Sequence, residues 1–325
     1  MNYRPLGKTG LTVSEIGFGC WGIGGAAPGT KSYGPTDDAQ SIAAVHRAVE
    51  VGITFFDTSD LYGRGHSEEL LGSALRGRRD KVVIASKVGI AFNAEGKQYQ
   101  EYSTDHMRRS VEGSLLRLQT DYLDLYQLHD PPMDGLKANP APLDTMKALQ
   151  KEGKVRAWGI SVASPADGLR AAAEFGAPAI QFNFNMIDQR AVENGLLALA
   201  AKLNTGLIGR TPLCFGFLTG CYGPDTRFDP ADHRSGWSGE QIALWASAPT
   251  LFREAIKPPA DQSATDVAMR FCLSYPQISV VIPGILTPRE VDLNAQASNF
   301  GPLSETQRLA AERAYRENVF FVRKR

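Results

Sequence analysis

Apolar positions along the chain fall into two alternating patterns. Short, nearly continuous apolar runs occur at Ile16–Gly19, Ile53–Asp57, Val82–Lys87, Leu123–His129, Val155–Ser161, Ala179–Asn183, Gly206–Arg210 and Val280–Pro283. Between them, apolar residues recur three or four apart over Asp37–Val51, Ser67–Arg76, Thr104–Leu118, Leu143–Glu152, Pro165–Phe175, Val192–Leu203, Ser263–Ser274 and Pro288–Ala297. The first pattern reads as strands buried on both faces, the second as amphipathic helices. Strands alternating with helices imply parallel pairing, because a parallel crossover needs an intervening helix. Eight such units predict one closed (β/α)8 TIM barrel. An open doubly wound sheet, split into two domains, is the other arrangement the alternation allows. No Ser- or Pro-rich linker interrupts the middle of the chain, so a single domain over residues 1–325 is expected.

Local signals support the boundaries. Thr104 is an N-cap candidate before Asp105, and Ser67 precedes Glu68 and Glu69, acidic residues suited to a first helical turn. Gly153 and Gly176 read as helix stops, and Pro165 suits a helix start. Three segments lie outside the eight units. Residues 2–15 are expected to form a β-hairpin closing the barrel bottom. Residues 214–262 form a long insertion after strand 7, with a helix near Gly239–Ser247. Residues 304–317 form a C-terminal amphipathic helix.

Composition narrows the function classes. The 35 Lys and Arg balance the 35 Asp and Glu, giving a formal net charge of zero. A nucleic-acid binder needs a basic excess to displace phosphate counterions, so none is expected as a partner. The same balance gives no polybasic membrane anchor, and no apolar run is long enough to span a bilayer. Cys20, Cys214, Cys221 and Cys272 form no CxxC pair and no zinc spacing, so neither a disulfide framework nor a metal site is expected. With no signal-peptide pattern at Met1–Gly7, the expectation is a cytoplasmic protein, a monomer or small homo-oligomer.

Barrel active sites sit at the C-terminal strand ends. Three consecutive predicted strands end there in ionisable groups: Asp57, Lys87 and His129. Tyr62 follows on the same loop as Asp57. Alternation puts Asp57 on one face with Ile53 and Phe55, and Lys87 on one face with Val83 and Ala85; with neighbouring strands about 4.8 Å apart, the two can touch. A phenol with an ordinary pKa of about 10 is a poor acid at neutral pH, and an adjacent ammonium lowers that value. Asp57 supplies a counter-ion to a desolvated Lys87, and His129 can orient a carbonyl oxygen. The group suits protonation of an oxyanion formed by hydride attack on a carbonyl. The spacing equally permits an Asp57–Lys87 pair that merely braces the rim, with Tyr62 and His129 unrelated.

Several separated motifs carry a resemblance. The opening Tyr3–Ser14 with Ile16-Gly17-Phe18-Gly19, the run Phe55–Ser59 through Tyr62-Gly63 and Ser67-Glu68, and Asp121–Leu125 leading to Leu128-His129 resemble, in order, bacterial branches of the aldo-keto reductase superfamily. The resemblance covers nearly the whole chain. It implies a (β/α)8 fold and the catalytic tetrad Asp57, Tyr62, Lys87 and His129. It also implies hydride transfer between NADPH or NADH and an aldehyde, ketone or alcohol (a sugar among the options), with Tyr62 as general acid.

The same resemblance assigns cofactor positions one at a time. Ser161 and Gln181 match residues that bind the nicotinamide carboxamide, although Val162 stands where Asn is usual. Gly19, Cys20 and Trp21 approach the nicotinamide. Arg210, Thr211, Pro212, Leu213, Cys214, Gly216 and Leu218 match the segment that covers the ring and wraps the pyrophosphate, with Arg210 where an aromatic residue often stands. Ile282, Gly284, Arg289, Glu290 and Asn294 match the adenosine segment. Leu286 stands where many relatives carry a phosphate-binding Arg, and Leu293 where a Glu precedes the Asn. NADP(H) is the family's usual cofactor. A carboxylate such as Glu290 suits a free ribose 2′-OH, which brings NAD(H) level with it, and Arg289 can compensate if it turns inward.

Substrate contacts are expected from Trp21, Phe92 and Trp237. Gly17-Phe18-Gly19-Cys20-Trp21-Gly22 matches a dinucleotide fingerprint by letter, but the next helix starts only near Asp37, so it reads as a barrel loop. His46, His66, His106 and His233 read as solvated side chains, and Trp158 as packing beneath the helices. Two other classes fit the residues: a cofactor-binding sensor or regulatory subunit with little turnover, and a Schiff-base aldolase using Lys87.

Overall fold

The computed structural model describes residues 1–322. Its central strands are β1 (Phe18–Gly19), β2 (Phe55–Asp57), β3 (Val83–Val88), β4 (Leu123–His129), β5 (Val155–Ser161), β6 (Ala179–Asn183), β7 (Gly206–Arg210) and β8 (Ile278–Ile282). Neighbours pair in parallel, in sequence order. Parallel bridges Ile16–Val281 and Gly19–Gly284 join the first strand to the last. There the Gly17 amide donates to the Val281 carbonyl at 2.8 Å and the Gly19 amide to that of Pro283 at 2.9 Å. The sheet is thus closed into the expected barrel, leaving no open edge.

The barrel helices are α1 (Asp38–Glu50), α2 (His66–Ala74), α3 (Thr104–Leu118), α4 (Ala141–Lys151), α5 (Pro165–Ala173), α6 (Leu196–Leu203), α7 (Ala264–Leu273) and α8 (Pro288–Phe300). Their apolar stripes and the outward strand faces form one large core, in which Trp158 is buried as expected. A smaller core fills the barrel interior with Phe55, Ala85, Leu125, Ala157, Ala179, Ile208 and Val280. Leu6 and Val13, from the antiparallel hairpin Tyr3–Pro5 and Thr12–Ser14, belong to this inner cluster and plug the bottom. Gly7, at φ +52°, allows that plug, since a Cβ there would lie 2.1 Å from the Gly206 nitrogen. Arg4 pairs with Glu15 and donates to the Ile278 and Leu273 carbonyls. Only the top of the barrel is left for a ligand.

Several elements differ from the sequence reading. The N-cap of α3 is Ser103, whose hydroxyl accepts from the His106 amide, so Thr104 is the first helical residue. The stretch expected as one helix over Val192–Leu203 is split at Gly195, which adopts φ +86°. The insertion helix runs Gly239–Ile256, through Pro249 and beyond the expected Ser247. A short hairpin, Ile90–Phe92 with Gln98–Gln100, and a short helix, Met133–Ala138, occupy loops that periodicity is too short to reveal. Gly153 and Gly176 adopt the left-handed conformation expected of helix stops. No helix among the described residues is long and apolar enough to cross a membrane.

Candidate active site

Register brings the strand-end polar residues into one ring. Lys87 pairs with Gln127, His129 with Ser161, Ser161 with Gln181, and Asn183 with Arg210. The buried Lys87 Nζ donates to Asp57 Oδ2 at 2.6 Å, to the Thr58 carbonyl at 2.9 Å and to the Tyr62 hydroxyl at 3.0 Å. All three ammonium hydrogens are therefore committed. Asp57 Oδ1 accepts from Gln181 at 2.7 Å and from Gln127 at 3.3 Å. The His129 ring stands edge-on to Tyr62, with centroids 6.2 Å apart. All four candidate catalytic residues thus meet at one point.

Tyr62 is held by two glycines. The hydroxyl-bearing side chain projects from a tight turn in which Gly63 adopts φ +58°. A Cβ on Gly24, from the β1–α1 loop, would lie 2.9 Å from the Tyr62 carbonyl carbon, and one on Gly63 2.1 Å from the Gly24 oxygen. The glycines of the first loop thus serve close approach to Tyr62 rather than a Rossmann turn.

Electrostatics in the ring follow from burial and the Lys87 charge. Burial disfavours the Lys87 ammonium, but Asp57 and Tyr62 together outweigh it, and the pKa of Lys87 rises. A protonated amine with all its hydrogens committed has no lone pair for Schiff-base chemistry. Burial raises the Tyr62 pKa, and the nearby Lys87 ammonium offsets only part of this. This corrects the expectation of a net fall: the phenol keeps its proton at neutral pH. Burial, then Lys87 and Arg210, push His129 well below its ordinary value, so the imidazole is neutral.

A cavity of about 870 Å³ opens above the ring. It runs from Trp21, Leu61, Tyr62 and His129 to Leu286, Thr287, Leu293 and Asn294. Of the expected cofactor residues, Gly19, Trp21, Gln181, Arg210, Thr211, Pro212, Leu213, Gly216, Ile282, Gly284, Arg289, Glu290 and Asn294 line it. Ser161 lies just behind, its hydroxyl 3.3 Å from Gln181 Oε1. Cys20, Cys214 and Leu218 do not line it; all three are buried in the large core, and burial raises both thiol pKa values. Phe92 lies under the Arg64 guanidinium and Trp237 packs on Phe215 and Trp245, both outside the cavity lining. Arg210 is anchored by Asn183 at 2.9 Å and Ser161 at 3.4 Å, which keeps it at the ring end of the cavity.

Glu290, which lines the cavity, also caps a helix. Its Oε2 accepts from the Leu286 amide at 2.7 Å and the Thr287 amide at 3.1 Å, while Thr287 Oγ1 caps the Glu290 amide. This is a capping box at the start of α8, and it occupies that carboxylate oxygen. Arg289 is exposed beside it, with no ion pair among the described residues.

The insertion roofs the cavity. Asp232 bridges to Ser32 of the first loop, and His233 donates its amide to the Ser32 carbonyl. Arg234 is clamped by Asp232 at 2.6 Å, donates to the Phe215 carbonyl and the Tyr222 hydroxyl, and lies over the Tyr33 and Phe228 rings. His233 is not solvated: it packs edge-on against Trp21, Tyr33 and Trp237, and burial lowers its pKa. Gln127, Asn183, Ser59 and the roof escaped the sequence reading. Gln127 had a signal, since it shares strand parity with His129.

Comparison with known proteins identifies the family. Residues 15–315 match the model of the aldo/keto reductase family. Aldo-keto reductase YhdN of Bacillus subtilis (strain 168) is 32% identical over 317 residues, 95% of this chain and 92% of that protein. The aldo-keto reductase AKR11C1 from Bacillus halodurans, in its holo form, superposes with a TM-score of 0.77 at 27% identity, covering 97% of this chain and 96% of that one. The glycerol dehydrogenase AKR11B4 from Gluconobacter oxydans gives 0.78 at 26% identity, covering 99% and 97%. The chain belongs to the aldo/keto reductase family, and with it to the oxidoreductases that act on carbonyl compounds with a nicotinamide cofactor.

Proposed function

We propose that this protein reduces small aldehydes or ketones with NADPH and oxidises the corresponding alcohols in reverse. The observation that carries the reading is the unbroken contact from Asp57 through Lys87 Nζ to the Tyr62 hydroxyl, open to a cavity of cofactor size. When bound, the cofactor supplies the hydride. Tyr62 gives its phenolic proton to the carbonyl oxygen as that oxygen gains charge. Lys87 stabilises the tyrosinate left behind, Asp57 balances Lys87 in the buried ring, and solvent returns the proton. Neutral His129 donates from Nε2 to the same oxygen and holds its orientation.

The cavity residues fit an extended dinucleotide. Gln181 and Ser161 offer amide and hydroxyl groups at the ring end. Gly216 and Gly284 leave backbone accessible along the middle, and Asn294 and Arg289 stand at the far end. Capping ties up one oxygen of Glu290, which weakens the argument for NAD(H), while the free Arg289 favours a 2′-phosphate. Dissociation constants for both cofactors test this: NADPH is expected to bind more tightly and to lose that advantage in Arg289→Ala. Equal or tighter binding of NADH contradicts it. The glycerol dehydrogenase likeness suggests small hydroxylated carbonyls, so glyceraldehyde and dihydroxyacetone head an absorbance assay of nicotinamide oxidation. Turnover of no carbonyl in a broad panel would overturn the reading.

A further inference from the structure

Ser59 lies on the loop that delivers Tyr62, and it is fully buried. Its hydroxyl meets three groups. The Leu61 amide donates to Oγ at 3.1 Å. Asp60 Oδ1 lies 3.2 Å away. His129 Nδ1 lies 3.5 Å away, the long end of the hydrogen-bond range. A serine hydroxyl owns one hydrogen and two lone pairs. Leu61 takes one lone pair. The hydrogen serves either Asp60 or Nδ1, never both, and the second lone pair accepts from whichever of the two carries a proton.

Asp60 decides between these arrangements. An ionised carboxylate has no hydrogen and takes the one on Ser59. Nδ1 must then donate to Oγ, and Nε2 is left as a bare lone pair toward the cavity. A protonated Asp60 donates to Oγ instead, Ser59 donates to Nδ1, and the imidazole hydrogen sits on Nε2, where a carbonyl oxygen can receive it. We propose that Asp60 is a positioning residue that selects the His129 tautomer through Ser59, its protonated form setting the tautomer used for carbonyl reduction. The proposal rests on the reading of His129 as the group that orients the carbonyl.

The surroundings place this choice near neutral pH. Burial, then the Glu68 carboxylate, push the Asp60 pKa up to about 7, against the Ser59 hydroxyl, Arg117 and the Leu61 amide. Glu68 faces Asp60 from α2 and is itself held by Ser86 of β3 and Arg117 of α3. Tyr126 of β4 faces the same carboxylates, its hydroxyl buried without a hydrogen-bond partner among the described residues. Burial, then Lys87 and Arg210, which face His129, keep the ring neutral, so the tautomer and not the charge is at stake. Proton count is conserved: the imidazole keeps one hydrogen, which moves between nitrogens through solvent, while Asp60 gains or loses one.

Nitrogen-15 NMR of the histidine-labelled full chain, without cofactor or substrate, tests this. The His129 signals are assigned by their loss in His129→Gln. As pH rises through about 7, the value set by Asp60, the hydrogen is expected to pass from Nε2 to Nδ1. Asp60→Asn, whose amide donates to Ser59 at every pH, is expected to hold it on Nε2 throughout, and Ser59→Ala to abolish the pH dependence. An unchanged wild-type tautomer across neutrality overturns the proposal, as does a surviving change in either variant. The readout involves no turnover, so it can fail while the carbonyl-reductase reading stands, and the reverse.

Discussion

Replacing Asp57 by Asn tests what holds the catalytic ring together. Among the described residues, Asp57 Oδ2 is the one charged partner of the fully buried Lys87. Removing one member of a buried ion pair strands the other charge, at a cost of about 3–5 kcal/mol. Asn also turns an acceptor of the Gln181 and Gln127 amides into a group with its own amide hydrogens. At about 2–4 °C per kcal/mol for a domain somewhat smaller than this one, the melting temperature should fall by roughly 5–15 °C. Adding Lys87→Met to Asp57→Asn removes the stranded charge. Because the loss in the single variant comes mainly from an uncompensated buried charge, the double variant should regain about 2–4 kcal/mol of that loss. Carbonyl reduction should be lost in the double variant, where Tyr62 keeps no ammonium beside it. The assay is a double-mutant cycle by denaturant unfolding, paired with turnover. Losses that add, with the double variant less stable than Asp57→Asn, would refute the claim that Asp57 balances a buried Lys87 charge.

Three further outcomes are expected. Gly24→Ala should push the Tyr62 turn outward, because its Cβ would lie 2.9 Å from the Tyr62 carbonyl carbon; kcat should fall roughly 10- to 100-fold with cofactor affinity nearly unchanged, measured by steady-state kinetics. Arg234→Ala removes the Asp232 clamp and the stacking on Tyr33, so stopped-flow should show faster cofactor release, with lower melting temperature. Asp60 has its pKa raised to about 7, so the folded state binds its proton more tightly than the unfolded chain does. Stability therefore falls as pH rises from about 4 to about 7 and stays reduced above that. Asp60→Asn should gain on the wild type across that window by about 1–3 kcal/mol, less than the roughly 4 kcal/mol that full burial would give, read by denaturant unfolding at acidic and alkaline pH.

The barrel and the ring were legible because both follow from simple periods. Alternation of apolar runs and helical stripes implied eight parallel strands, strand ends placed Asp57, Lys87 and His129 at one end of the barrel, and the period of two along strands let Asp57 and Lys87 touch. What stayed hidden depends on contacts between distant segments. Ser32 meeting Asp232, and His233 packing on Trp21, are loop contacts with no periodic signature. The capping box of Thr287 with Glu290 depends on the loop placing Thr287 just outside the helix, which spacing alone does not reveal. Cys20, Cys214 and Leu218 follow the family's segments by position, but the turn that exposes their neighbours directs their own side chains into the core. The direction of the Tyr62 pKa depended on a magnitude, burial against one ammonium, that no spacing supplies.

The role proposed for Tyr62 is to protonate the carbonyl oxygen. Single-turnover oxidation of enzyme-bound NADPH by glyceraldehyde measures that step without product release. Tyr62→Phe keeps the ring and removes only the hydroxyl that Lys87 contacts. The rate should fall by at least about 100-fold, the contribution typical of a positioned general acid, with NADPH affinity preserved. A rate within a few-fold of the wild type, at equal NADPH occupancy, would contradict it.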